Sequence, residues 1–428
     1  MGAKYQALKG MEDILPGEIE KWQWLERRAR IFLEARGYKE IRTPLLEPLE
    51  LFTRSLGEGS DIVHKEMYAF EDRGGRQIAL RPEMTASVAR AVIENHLLKK
   101  SSSPLRLYYM GPMFRGERPQ AGRKRQFYQI GIELVNESGP AADSEAISVL
   151  WGFLGYVGLK EVELRMNHLG CAKDRPKLIA SLKDYFSKKK DKLCTDCHYR
   201  LEKNVLRVFD CKNSDCQEVI EQAPWEEFCS NCRSAFENVQ TLLKKEYEIP
   251  FKIERRLVRG IDYYTSSVFE VVSKGLGAQD AVAGGGRYDG LYESLSGDSV
   301  PATGFSIGVE RLLKALEETR KDFCKEIESR RIYFASLVGD SDGRRVSRDQ
   351  MLLLRAAGFP VETTPNETSL SNHLKRANSL GIRYVVICGA DEIKQKKLSL
   401  KDLEKRSQKE IKFSEFIPML SQELNSPC

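Results

Sequence analysis

The segments LRLYYMGPMFRGE and FYQIGIELV, on either side of the polar stretch RPQAGRKRQ, read as a long antiparallel hairpin between residues 105 and 135. Arg115 and Glu117 stand two apart, and so do Gln129, Gly131 and Glu133 on the returning strand. In a strand that spacing sends them to one face. Such a face is poor packing material, because an unpaired buried charge is costly. Two readings follow: the face is the floor of a polar ligand site, or it is an exposed sheet surface laced by cross-strand ion pairs.

Other stretches pose the same question. RRLVRGIDYYTSSVFEVV is rich in strand formers, yet Arg259 stands just before Gly260 inside its apolar run. Arg81, Glu83 and Thr85 in ALRPEMTAS sit where a short strand, RQIALRP, gives way to a helix, MTASVARAVIENHLL. GAQDAVAGGGRYDGL reads as a Gly-rich turn between elements, and TGFSIGVERLLKALEE as a strand running into a helix that carries Arg311. Taken singly, each has a structural explanation: a salt-bridged arginine, a solvated cap, a turn, a helix-surface arginine.

The chain has 428 residues, enough for two to four domains. With 41% hydrophobic and 30% charged residues it has an ordinary soluble balance. A net charge of +6 permits a polyanionic partner without requiring one. No run of about 18 apolar residues is present, and MGAKYQALKG lacks the apolar core of a signal peptide, so the expectation is a cytoplasmic protein without a membrane partner. Residues 18–36 have helical periodicity ending at Gly37, and strand patterns resume at 251. The stretch 317–331 reads as a helix end and linker. From RIYFASLV onward, strands alternate with helices, as in a small α/β domain.

Six of the ten cysteines lie between 194 and 232, in a charged, mostly helical stretch from about 170 to 248 that reads as an inserted domain. The C-x-x-C pairs Cys194/Cys197 and Cys229/Cys232 are the expected ligands of a structural zinc. CKNSDC, with Cys211 and Cys216, leaves the choice of four among six open; reduced thiols and redox pairing are the other readings. His168 and His198 are taken as ordinary surface residues.

In order and spacing these pieces resemble the class II aminoacyl-tRNA synthetases, and specifically the histidyl-tRNA synthetase family. TPLLEPLELF, with Pro44, resembles motif 1, a dimer-interface element. FRGERPQAGRKRQFYQIGIE resembles motif 2, and GFSIGVERLL motif 3. LVRGIDYYT and GGGRYDGL are similar to segments particular to the histidine enzymes. The resemblance implies an α+β fold: an antiparallel sheet flanked by helices (1–169 and 249–325), the inserted helical domain (170–248), and a C-terminal α/β anticodon-binding domain (330–428). It implies a homodimer that activates L-histidine with ATP and Mg²⁺ and passes it to tRNA(His).

Residue roles follow from the same resemblance. Arg259 is expected at the α-phosphate and the histidine carboxylate, as a cation set against charge that builds up in the transition state. Arg115 is expected on the α-phosphate, Glu117 on the adenine amino group, Phe127 stacked on adenine, and Arg123 and Arg311 on the outer phosphates. Glu83, Thr85 and Gln129 are expected to hold the amino group, with Met84 between the first two where many bacterial relatives have Gly. Glu133, Tyr263, Tyr264 and Tyr288 are expected around the imidazole. The motif 2 loop, with Arg118, Gln120, Arg123, Lys124 and Arg125, is expected to meet the acceptor end of the tRNA. The C-terminal Lys375, Arg376, Arg383, Lys394, Lys396, Lys397 and Lys401 are expected near the anticodon. The alternative is a non-catalytic synthetase-like regulatory subunit of histidine biosynthesis, a type that generally lacks both the catalytic arginine motif and the C-terminal domain.

Overall fold

Period-two alternation builds the framework. In chain order the strands up to residue 320 are β1 (Lys39–Glu40), β2 (Leu46–Pro48), β3 (Ala69–Glu71), β4 (Gln77–Leu80), β5 (Leu105–Phe114), β6 (Gln126–Val135), β7 (Val162–His168), β8 (Phe251–Ile253), β9 (Thr265–Ser273), β10 (Ala281–Arg287) and β11 (Ala302–Gly308). The computed structural model describes residues 5–57, 60–101, 104–117, 124–225, 228–276, 280–320, 323, 331–364 and 369–424. The chain divides into two units, residues 1–320 and 321–428.

In the first unit, eight strands form one sheet in the order β1-β5-β6-β11-β10-β9-β7-β8. Its neighbours are antiparallel except at the two ends, where β1 runs parallel to β5 and β8 parallel to β7. The hairpin read from sequence is β5 and β6, paired from Leu105↔Val135 to Phe114↔Gln126. Arg115 and Glu117 lie just beyond the end of β5 rather than on it. Ile130, Ile132 and Leu134 of β6 are buried. The helices Gly139–Tyr156 and Val309–Thr319 pack on β6 and β11, and Ile19–Glu34 packs on both helices. Strands β2, β4 and β3 form a separate antiparallel sheet.

The Gly-rich stretch expected to be a turn is strand β10 in the middle of the large sheet. Central strands normally avoid glycine, unless another group must come close to the backbone. Here a Cβ on Gly285 would fall 2.8 Å from both the Phe269 ring and the Phe305 Cα. The GRYD part of the motif divides its work. Arg287 donates to Asp143 at 2.9 Å and to Asp289 at 2.9 Å, tying the end of β10 to the helix Gly139–Tyr156. Tyr288 faces the cavity described below.

The cysteine-rich stretch is helical as expected, with helices Arg175–Ser187, Thr195–Lys203, Ser214–Glu221 and Ser230–Lys245. It belongs to the first unit. Its Leu178, Leu182, Phe186 and Phe209 share a continuous apolar core with Phe52, Val88 and Tyr264.

In the second unit, β12 (Ile332–Leu337), β13 (Val361–Glu362), β14 (Tyr384–Gly389), β15 (Lys397–Asp402) and β16 (Ser407–Lys412) make a mixed sheet in the order β13-β12-β14-β15-β16. Strands β13, β12 and β14 are parallel; β15 and β16 are antiparallel. Alternate residues feed two cores. Ile332, Phe334 and Val386 meet Leu354, Phe416 and Leu420 on one face. Tyr333, Val385 and Ile387 meet Ala377 and Leu374 on the other. The second unit is thus a three-layer α/β domain.

The tight seat of Gly285 gives a direct test of the central strand. Gly285→Ala should lower stability by about 1–3 kcal/mol. A denaturation midpoint equal to the parent's would contradict the packing described.

Candidate active site

Same-face residues of β6, β11, β10 and β9 make the floor of a cavity of about 340 Å³. The register sets Glu133 opposite Gly304, Gly131 opposite Ser306, and Ser306 opposite Gly284, which in turn faces Glu270. The polar face expected of the hairpin is therefore a cavity floor, and the glycines keep it open.

Glu133 is buried and held from two sides. The Thr85 hydroxyl donates to one carboxylate oxygen at 2.7 Å, and the Tyr288 hydroxyl donates to the other. Burial pushes its pKa up from 4.5 to about 8, partly offset by those two hydrogen bonds. Glu83 accepts the backbone N–H groups of Thr85 and Ala86 at 2.7 and 2.9 Å, which caps the first turn of the helix Thr85–Glu94. Burial raises its pKa as well. The Tyr263 hydroxyl donates to Glu83 at 3.3 Å, and its ring lies 4.8 Å from Tyr264 and 5.5 Å from Tyr288. Tyr264 is pushed up to about 12 by burial, with the nearby Arg259 charge opposing. Three phenols and two carboxyls thus converge on one end of the cavity.

Arg259 precedes β9 in a loop and reaches across the sheet. Its guanidinium donates to Glu270 at 2.7 Å and lies on the backbone of Gly284, where any side chain would strike it. Its Nε is buried without a hydrogen-bond partner among the described residues. Burial opposes its charge, and Glu270, Tyr264, Asp210 and Tyr263 together outweigh that, so the group stays protonated. Arg115 donates to the Pro82 carbonyl at 2.9 Å, with its guanidinium 5.1 Å from the Phe127 ring centre. Gln129 donates to the Ser306 hydroxyl at 3.3 Å, and Arg311 to the Ala281 carbonyl at 2.7 Å.

The cavity gathers Glu83, Thr85, Arg115, Glu117, Phe127, Gln129, Glu133, Arg259, Tyr263, Tyr264, Tyr288 and Arg311. Met84 is not among its lining residues: its side chain is buried, and its sulfur accepts the Thr43 hydroxyl at 3.2 Å. Arg123 lies outside the described residues, as do Arg118 and Gln120. The cavity also includes groups the sequence reading passed over: Asp61, Glu66, Tyr109, Arg207, Asp210 and Glu270. Nothing in the sequence pointed to Arg207 or Asp210, which stand amid the cysteine-rich stretch.

The expected zinc ligand set is corrected by the fold. Cys194 and Cys197 gather with Cys211 and Cys216, whereas Cys229 and Cys232 gather with Cys171 and Asp174. The two C-x-x-C pairs open two different helices and do not meet. His168 is buried rather than at the surface, between the Phe228 and Phe236 rings, with its Nδ1 accepting the Gly170 N–H at 3.0 Å. His198 is half-buried and bonds the Lys190 carbonyl at 2.7 Å.

An antiparallel sheet with arginines, a phenylalanine and an amino-acid-sized polar pocket on one face is the fold and site of a class II aminoacyl-tRNA synthetase. The family model described as Histidyl-tRNA synthetase matches residues 10–312, and that described as Anticodon binding domain matches residues 346–423. A histidine–tRNA ligase of Halothermothrix orenii is 42% identical over 414 residues, 96% of this chain and 98% of that one. One from Moorella thermoacetica is 43% identical over 408 residues, covering 94% and 95%. The solved apo histidyl-tRNA synthetase of S. aureus is 29% identical, with a TM-score of 0.75 over 97% of this chain and 99% of that chain. The chain belongs to the histidyl-tRNA synthetase family.

The raised pKa of Glu133 predicts a pH signature. The folded chain keeps a proton there that the unfolded chain has released, so this carboxyl costs stability increasingly as pH rises from about 4.5 to about 8. Glu133→Gln should therefore gain thermal stability over the parent with rising pH, by about 1–3 kcal/mol at alkaline pH. Its histidine-dependent ATP–pyrophosphate exchange should fall by ~100-fold or more. A stability difference that is flat from pH 5 to pH 9 would contradict the assignment.

Proposed function

We propose that this cavity seats L-histidine and ATP together and carries out the first half of histidine–tRNA ligation. A carboxylate oxygen of histidine attacks the α-phosphorus, the bond to the β-phosphate breaks, and pyrophosphate leaves. The terminal ribose hydroxyl of tRNA(His) then attacks the activated carbonyl, and AMP leaves. The observation that carries this reading is the pairing in one cavity of a fixed cation, Arg259, with a buried carboxyl clamped between Thr85 and Tyr288.

Arg259 and Arg115 are the cations set against the charge that accumulates around phosphorus. Both are permanently charged, planar and able to fork onto phosphate oxygens. Phe127 offers a face for adenine and Glu117 a carboxylate for its amino group; Arg311, with Arg123, takes the outer phosphates. Glu83, Thr85 and Gln129 take the amino group of histidine. Glu133, Tyr263, Tyr264 and Tyr288 present hydrogen-bonding groups to the two imidazole nitrogens. A wrong side chain would leave those buried groups unpaired, which is a strong basis for selection. Mg²⁺ bound with ATP would offset phosphate charge, and the carboxylate of Glu66 in the cavity wall is a hard oxygen donor suited to hold it.

Exposed apolar side chains in and beside the motif 1 segment, Leu45, Leu46 and Phe70, support a homodimer. No described helix is long and apolar enough to cross a membrane, and the reading is of a cytoplasmic enzyme. The presence of both Arg259 in the cavity and an α/β second unit speaks against a regulatory subunit. The deciding measurement is ATP–pyrophosphate exchange across the twenty amino acids, expected with histidine alone.

Arg259→Ala should lower that exchange by about 100- to 1000-fold while the protein stays folded. Activity within a few-fold of the parent would remove Arg259 from its role. The second unit has its own cores and suits the tRNA-reading part. Of its basic residues, Arg383 is engaged by Asp402 at 2.7 Å and Lys397 by Glu410 at 3.2 Å, which leaves Lys375, Arg376, Lys394, Lys396 and Lys401 as the better candidates. Deleting residues 330–428 should cut kcat/KM for tRNA by at least about 10-fold and leave amino-acid activation far less affected. Equal kcat/KM for tRNA in the two proteins would overturn that assignment.

A further inference from the structure

Residues 171–232 carry two separate groups of four ligating side chains. In the first, the sulfur atoms of Cys194, Cys197, Cys211 and Cys216 all lie within 4.8 Å of one another, and Cys194 and Cys211 are 3.7 Å apart. Four thiolates at about 2.3 Å from a zinc ion stand about 3.8 Å apart at the corners of a tetrahedron. The observed spacing matches that edge and is far from a disulfide bond. Backbone N–H groups point at these sulfurs: Cys194 N–H lies 3.1 Å from the Cys216 sulfur, and Asn213 N–H 3.5 Å from that of Cys211. Such donors stabilise thiolates and orient them, as the outer partners of a metal site do. Cys197, Cys211 and Cys216 are buried.

The second group is Cys171, Asp174, Cys229 and Cys232, again within 4.8 Å of one another. Cys171 follows closely on β7, where the chain leaves the sheet. Cys229 and Cys232 open the helix Ser230–Lys245, after which the chain returns to the sheet at β8. The Asp174 carboxylate also accepts the Cys229 N–H at 3.0 Å. This second group therefore ties the segment leaving β7 to the start of the helix Ser230–Lys245.

The first group has a different neighbourhood. Between its ligands Cys197 and Cys211 runs the short 3₁₀ turn Val205–Asp210, and Arg207 and Asp210 of that turn line the catalytic cavity. Arg207 is held by Asp210 and, at 3.0 Å, by Asp61. Its guanidinium packs on Gly260, where a Cβ would meet it at 2.8 Å. Gly260 is the neighbour of Arg259. Just before the turn, Asn204 donates to the Asp262 carboxylate, and Arg175 donates to the Asp262 carbonyl at 2.8 Å.

We propose that this chain holds two structural zinc ions, one on Cys194, Cys197, Cys211 and Cys216 and one on Cys171, Asp174, Cys229 and Cys232, and that the first fixes the Arg207-bearing turn that positions the loop of Arg259. Arg207 is a positioning residue: it acts through Gly260 and the loop. Metal at the four-cysteine centre holds both ends of the segment 198–210, so the turn cannot drift from the cavity wall. This positioning role rests on the ligase reading above; the two metal sites do not.

The test uses the full-length chain. Elemental analysis after purification without chelator should find two zinc ions per chain, and Cys216→Ser and Cys232→Ser should each retain one. One ion or none in the parent overturns the two-site assignment. Reloading with cobalt should give sulfur-to-metal charge-transfer absorption, of which Cys216→Ser loses more than half, because it removes the centre with four thiolates and leaves the one with three. Arg207→Ala should keep both metal ions and lower kcat for exchange by about 10-fold or more, with a smaller change in KM for histidine and partial recovery in Arg207→Lys. Cys216→Ser should add little further loss in the Arg207→Ala background, because both act through the same turn. Independent losses, or Arg207→Ala at parental kcat, overturn the positioning role. If Cys216→Ser does not fold, the metal content and kinetics of Arg207→Ala and Arg207→Lys decide the matter. Absence of histidine-dependent exchange in the parent overturns the ligase reading, whereas the metal count stands or falls by itself.

Discussion

A permanent cation held flat against the middle of a β-sheet is the constraint from which much of this site follows. Arg259 cannot shed its charge, so burial must be offset by a partner, and Glu270 supplies it from the adjacent strand at 2.7 Å. A guanidinium on a sheet also needs a strip with no side chains. Strand β10 provides that strip at Gly284. Glycine weakens a central strand, since it loses more chain entropy and offers nothing to pack. That cost is borne in the middle of an eight-stranded sheet, where β9 and β11 pair with β10 on both sides. The ion pair leaves the Arg259 Nε without a hydrogen-bond partner among the described residues, so the group is anchored without being fully satisfied by them. A cation in that condition is prepared for an anion and pays little to reorganise when charge develops.

The other end of the cavity follows the opposite logic. Glu133 is buried, and its neighbours are hydroxyls rather than cations, so its charge is disfavoured. A carboxyl in that state is a poor contributor to stability and a good discriminator. In the proposed reading it gains a further partner when an imidazole N–H enters, and an apolar or differently shaped side chain offers it nothing more. One sheet thus carries a charge fixed at one end and a charge withheld at the other. The first suits a phosphate, whose negative charge is constant; the second suits a ring whose protonation has to be read.

What the sequence made legible was governed by periodicity and spacing. The β5–β6 hairpin, the helix after Glu83 and the second unit's strand–helix alternation all rest on local patterns that tertiary structure did not override. The same alternation placed Gln129, Gly131 and Glu133 on one face. It could not say whether that face met water or a ligand, and family resemblance supplied the roles. Local rules failed where a long-range approach decides the residue. GGGR is turn-like by composition and is a central strand because Arg259 and Phe269 come close to it. Met84, adjacent in sequence to two cavity residues, points into the core because the first turn of a helix sends successive side chains in different directions. The cysteine grouping failed for a related reason. C-x-x-C at the start of a helix brings two sulfurs together, but which pairs meet depends on how four helices pack.

Arg207 and Asp210 show how far this extends. A stretch that reads as a charged, cysteine-rich excursion between β7 and β8 contributes part of the catalytic wall and shares a core with the sheet that bears it. Small helical segments with thin cores hold their geometry weakly by packing alone, and wall residues need to be held to within a fraction of an ångström to be useful. Besides the shared apolar core, polar contacts run from this stretch to the Arg259 loop: Asn204 and Arg175 on Asp262, and Arg207 on Gly260. Polar contacts of this kind are directional and fail when one partner shifts, unlike an apolar interface that can slide. A wall built that way therefore depends on the rigidity of the segment behind it. The cysteine clusters stand where such rigidity is wanted, one flanking the Val205–Asp210 turn and one between the exit from β7 and the start of the helix Ser230–Lys245.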